Sequence, residues 1–187
     1  MTTRDSGGSA LVLLDFINPL DFEGADRLKP RALRAARHAR ELRDAFRARG
    51  APVIVANDNF GLWRASFEEV VEYARAASGA ELVELLKPGA GDRVILKPRH
   101  SAFYQTAIEL LLRDLGVERL VLAGLQADIC VLFTAMDAHL RKYRIVIPRD
   151  AVASEEAERE RWALDYARRV LDAGAPATAE LLAAPLP

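Results

Sequence analysis

Five short runs along the chain are apolar at consecutive rather than alternate positions: ALVLLD (10–15), PVIVAND (52–58), RVILKP (93–98), RLVLAGL (119–125) and RIVIPRD (144–150). A strand with one wet face alternates, so these runs predict strands covered on both faces. Between them lie segments with apolar residues at helical spacing. In PRALRAARHARELRDAFRARG (30–50), Leu33, Ala36, Leu42, Ala45 and Phe46 form a core stripe and seven arginines take other positions. SAFYQTAIELLLRDL (101–115) reads the same way. So does the segment opening near Asp128, with Ile129, Leu132, Phe133, Met136 and Leu140 as its predicted core face. Gly50 and Gly116 stand just past two of these helices, as expected for helix-ending glycines. The stretch 59–91 has no clear strand and is expected to form a lid-like loop plus helices, with room for a short extra strand. The pattern as a whole predicts an α/β domain, with a mostly parallel sheet between two helix layers.

In such a sheet the strands end on one rim, where ligands bind. The predicted ends carry Asp15, Asp58, Lys97, the 126–130 turn and Asp150. At 187 residues and 51% hydrophobic the chain is long enough for one domain with one core. We read residues 1–187 as that single domain, with 1–9 and 176–187 as tails. The 26 basic and 27 acidic residues nearly cancel, which gives no electrostatic case for nucleic acid or an acidic membrane surface as partner. A small-molecule substrate is the expected partner. No apolar stretch reaches the roughly 20 residues that cross a bilayer, and MTTRDSGGSA lacks the apolar run of a signal peptide, so the expected location is cytoplasmic.

A single cysteine, Cys130, excludes an internal disulfide framework or thiolate metal cluster. It lies off the apolar stripe of its helix, within the first turn, where N–H groups and the macrodipole favour a thiolate and a developing oxyanion. A small buried hydrophobe is the competing assignment. A nucleophile also needs a base and a balancing cation, and two other strand ends supply Asp15 and Lys97 as candidates. Lysine is scarce, 4 against 22 arginines, which singles out Lys97 because a guanidinium cannot exchange protons as an ammonium can. The plainer alternative is a structural ion pair.

Taken in order, the strand end LLD, the segment LKPRHSAFYQT and LVLAGLQADICVLFTAMDAH followed by VIPRDAVAS resemble the isochorismatase-like cysteine hydrolase superfamily over about residues 11–154. The most specific part is 124–131. The resemblance implies a Rossmann-like α/β/α fold with a six-stranded parallel sheet, in which the aspartate and lysine strands are neighbours. It also implies a catalytic triad of Asp15, Lys97 and Cys130, and a cis peptide between Leu125 and Gln126 that aims the Gln126 N–H, beside that of Cys130, at an oxyanion. A homo-oligomer, dimer or tetramer, is expected on the same ground.

The chain also departs from this pattern. Nicotinamidase-like members hold a metal with an aspartate and histidines after the second strand; here Asp58 is followed by Asn59 and Phe60, so no metal is expected, and no organic cofactor either. Ile17 replaces a frequent glutamine. Members that cleave a vinyl ether commonly lack the cysteine, so Cys130 favours attack on a carbonyl carbon. Phe16, Trp63 and His100 are candidate substrate contacts, whereas His38 and His139 read as surface residues.

The expected activity is cysteine-dependent hydrolysis of a small amide, carbamoyl or related C–N substrate through a thioester. Two alternatives stay open at this point: vinyl ether hydrolysis with Asp15 as acid, and a non-enzymatic thiol redox sensor. The second lacks a resolving cysteine within the chain.

Overall fold

A computed structural model describes residues 8–63 and 66–183. All five expected strands form: β1 (Gly8–Leu14), β2 (Val53–Asp58), β3 (Arg93–Lys97), β4 (Val117–Leu125) and β5 (Arg144–Val146). The sixth, β6 (Val152–Ala153), is only two residues long and pairs with β4 beyond the point where β5 leaves it. Every pairing is parallel, in the order β3-β2-β1-β4-β5. The lysine strand β3 is therefore not the neighbour of the aspartate strand β1, as the resemblance had implied; β2 separates them. The 59–91 stretch contributes no strand among its described residues, but two helices, α2 (Phe67–Ala76) and α3 (Ala80–Leu86).

Alternation along β1 divides the interior. Leu11 and Leu13 face a layer containing α1 (Ala25–Ala48), α2 and α3, with Leu28, Leu42, Phe46, Val70 and Leu82 buried against them. Ala10, Val12 and Leu14 face the opposite layer of α4 (Ile108–Asp114), α5 (Leu132–Leu140) and α6 (Ala157–Val170), through Ile108, Leu112, Leu132, Ala135 and Ala163. Central strands covered on both faces explain the consecutive apolar runs. β3 is the exception: as an edge strand it leaves Arg93 and Val94 exposed.

Three expectations change. First, α1 begins at Ala25, ahead of position 30. Residues 101–107 form turns, not the start of a helix; the Ser101 hydroxyl accepts from the Phe103 N–H and the Thr106 hydroxyl donates to the Ala102 carbonyl, which holds the backbone in turns. Second, the core face of α5 is Leu132, Ala135 and Ala138, with Thr134 also buried, while Phe133, Met136 and Leu140 are exposed. Small side chains let this helix sit close to the sheet. Third, neither terminal segment is simply a tail. Residues 8–9 belong to β1, and α7 (Thr178–Ala183) packs on the core through Leu181 and Leu182. The Asp150 carboxylate accepts from the Thr178 N–H and hydroxyl, and Arg149 pairs with Glu180. Residues 1–7 and 184–187 lie outside the described residues.

Candidate active site

The site lies at the strand rim. β1 ends at Leu14, and Asp15 follows in a left-handed conformation (φ 55°), which aspartate tolerates better than most residues. Its N–H donates to the Ala56 carbonyl, and its Oδ1 accepts from the Asp58 N–H at 2.6 Å. Asp58 and Lys97 are register partners on β2 and β3. From that position the Lys97 ammonium reaches across the end of β2 to Asp15 Oδ2 at 2.8 Å and stands 3.7 Å from Asp58 Oδ2. The contact with Asp15 is close but off the hydrogen-bonding axis, so it acts as an ion pair by distance. Lys97 Nζ also donates to the Arg99 carbonyl at 3.2 Å and lies 3.6 Å from Cys130 Sγ. Its side chain is 0% exposed.

Cys130 arrives from the other side. β4 pairs with β1 at Gly124, where a Cβ would lie 2.3 Å from the Leu14 carbonyl oxygen. A cis peptide then joins Leu125 and Gln126, as expected. A π-helical turn (Ala127–Val131) carries Cys130 and runs straight into α5; both the Ile129 and Val131 N–H groups donate to the Gln126 carbonyl. The turn is anchored through Asp128, whose carboxylate accepts from the Ser154 hydroxyl at 2.5 Å and from Arg159 at 2.6 Å. The Gln126 side chain donates to Glu155, which Arg27 holds at 2.9 Å.

The three groups also shift one another's protonation. Burial raises the Asp15 carboxyl above its ordinary 3.8, against the opposing pull of Lys97. Burial works against the charge on Lys97, but Asp15, with Cys130 and Asp58, outweighs it and holds the ammonium above its usual range. The Cys130 thiol is pushed well above 9.0, by burial first and then by the Asp15 charge, with Lys97 opposing. The resting Cys130 is therefore a neutral thiol, 3.6 Å from the Lys97 ammonium.

Asp15 and Cys130 open onto a cavity of about 320 Å³, lined also by Asn18, Phe22, Leu28, Asp58, Phe60, His100, Leu125, Gln126 and Ile129. The structure thus brings together Asp15, Lys97, Cys130, Leu125, Gln126 and His100, whose Nδ1 approaches the sulfur at 4.0 Å while its ring packs edge-on against Phe133. It does not bring in Phe16 or Trp63. Phe16 is 1% exposed within the α1-side core because the chain turns its side chain inward after Asp15, and Trp63 is 74% exposed on the loop, away from the cavity lining.

The sequence reading also missed Asn57. Fully buried on β2, it accepts from the Ile17 N–H at 3.0 Å and donates to the Ile17 carbonyl at 2.9 Å, fastening the loop after β1. A polar residue inside the apolar run PVIVAND was the available signal.

A model of the isochorismatase domain matches residues 9–180. The chain belongs to the isochorismatase family. A relative described as an uncharacterized isochorismatase family protein, YaaI from Bacillus subtilis, is 35% identical over 162 residues, covering 87% of this chain and 90% of YaaI. Among solved structures, N-carbamoylsarcosine amidase from Thermoplasma acidophilum is 32% identical with a TM-score of 0.70, covering 91% of this chain and 96% of the other. Nicotinamidase/pyrazinamidase PncA from Bacillus subtilis is 30% identical with a TM-score of 0.73, covering 90% and 99%. Among the described residues of this family member, no helix is long and apolar enough to cross a membrane.

Proposed function

We propose that this isochorismatase-family hydrolase cleaves a C–N bond in a small amide or carbamoyl substrate, with Cys130 as nucleophile. One observation carries the reading: the Lys97 ammonium sits 2.8 Å from Asp15 and 3.6 Å from Cys130, beside a cavity that opens to both. Asp15 takes the thiol proton as the sulfur attacks the carbonyl carbon, and Lys97 offsets the charge gathered at the site. The N–H groups of Gln126 and Cys130 are the proposed oxyanion donors. Protonated Asp15 then gives its proton to the departing nitrogen, leaving a thioester. Water enters, loses a proton to Asp15 and displaces the sulfur. The relatives that support this reading include an amidase for N-carbamoylsarcosine and a nicotinamidase/pyrazinamidase.

The raised carboxyl of Asp15 favours one second reading, in which it donates a proton to a vinyl ether and Cys130 is incidental. Ammonia or amine release from a panel of amides and ureas, compared between the wild type, Cys130→Ala and Asp15→Asn, separates the two. Covalent catalysis requires both variants to lose turnover, with an acyl adduct at Cys130 visible by mass spectrometry. Full turnover in Cys130→Ala rejects it.

The family resemblance also supports a homo-oligomeric assembly, a dimer or tetramer.

A further inference from the structure

The cavity beside Cys130 is acidic and apolar. Asp15 and Asp58 contribute carboxylates, and Phe22, Leu28 and Phe60 contribute apolar surface. Among the described residues, no guanidinium or ammonium lines it. The Lys97 ammonium is fully buried and taken up by Asp15, Asp58 and the Arg99 carbonyl. Two arginines of α1 are committed elsewhere: Arg27 to Glu155 at 2.9 Å, and Arg31 to Glu160 at 2.5 Å and the Ser154 carbonyl at 2.8 Å. His100 is the one described lining side chain able to carry positive charge, and its Nδ1 approaches the sulfur.

A carboxylate entering this space would give up water with only His100, among the described lining residues, to offer it positive charge, and would face the like charge of Asp58, both unfavourable. An uncharged amide with an apolar substituent meets neither cost. We infer that the cavity admits uncharged amide or carbamoyl substrates with an apolar substituent and rejects those bearing a carboxylate. The inference rests on the reading of Cys130 as the group that substrate must reach, and it narrows the substrate class of that site.

Iodoacetamide and iodoacetate form a matched pair of neutral and anionic reagents. Each forms an S–C bond at the thiol and releases iodide and a proton, and intact mass reads the reaction because Cys130 is the only cysteine. The quantity measured is the ratio of the iodoacetamide rate to the iodoacetate rate, divided by the same ratio for glutathione at the same pH. We expect a value of about tenfold or more. In Phe22→Arg, which places a cation at a partly exposed lining position, the value should fall towards one. A wild-type value at or below one overturns the inference, as does failure of iodoacetamide to modify Cys130, whereas modification by iodoacetamide alone supports it. The measurement needs no turnover. Protein that keeps the ratio but hydrolyses no amide sinks the proposed reaction and supports the selectivity, whereas protein that hydrolyses amides with a flat ratio sinks only the selectivity.

Discussion

The Lys97 ammonium and the Asp15 carboxylate meet at 2.8 Å although the strands that carry them are separated by a third. The pair closes over the end of β2, where the Asp58 N–H holds the other oxygen of Asp15. Two buried charges in such contact depend on each other, because removing one leaves the other desolvated and uncompensated.

Lys97→Met should therefore destabilise the protein by about 3–5 kcal/mol. The double variant Asp15→Asn, Lys97→Met should recover part of that loss despite carrying one more substitution. Urea denaturation of the wild type, both single variants and the double variant measures the coupling; additive losses would show that the pair is not coupled in the fold.

Stability should decline on the alkaline side. The Cys130 thiol is raised above 9.0 in the folded chain, so above about that pH the unfolded chain has released a proton that the folded chain keeps. Lys97, also raised, acts in the same direction above 10.5. The stabilisation is complete below these ordinary values and is lost as pH rises through the raised ones. Denaturant midpoints between pH 8 and 11 should fall in the wild type and fall less steeply in Cys130→Ala.

Gly124→Ala should cost about 1–3 kcal/mol as an overpacking change, since its methyl would meet the Leu14 carbonyl oxygen and Cβ. By moving β4 away from β1 it should also lower kcat more than Asp128→Asn does, because Asp128 holds the turn from outside the strands. Thermal melts and kcat measured on the same preparations test both statements.

Docking of the C-terminal helix can be tested at Thr178, which is fully buried and bonded to Asp150 through both its N–H and its hydroxyl. Thr178→Val removes the hydroxyl bond and leaves Asp150 one donor short, a loss of about 1–3 kcal/mol. Limited proteolysis should then cut α7 earlier than in the wild type; unchanged cleavage would mean that the hydroxyl bond does not set the docking of the helix.

The parts of this fold legible in the sequence are those in which side-chain character and position agree. Central strands sandwiched between helix layers must be apolar on both sides, so β1, β2 and β4 announce themselves. β6 does not, because two residues carry no periodicity. Helix α5 misleads for a different reason: its large apolar residues have the spacing of a core face, but a helix packed close to a sheet buries Ala135 and Ala138 and leaves Phe133 and Leu140 outside. At the site, Asp15, Lys97 and Cys130 could be picked out because each is a chemical exception at a strand end or helix start. The cavity walls could not. Phe22, Leu28 and Ile129 are ordinary apolar residues, placed there by the path of the 15–24 segment, by the first turn of α1 and by the π-helical turn.

The grip of Asn57 on both backbone groups of Ile17 has a further consequence. The wall that begins after β1 is bolted to the floor of the sheet, so a ligand entering there finds its contour already cut. Little ordering of that wall is left to oppose association, and a rigid contour rewards molecules that match it and penalises those that would need it to yield.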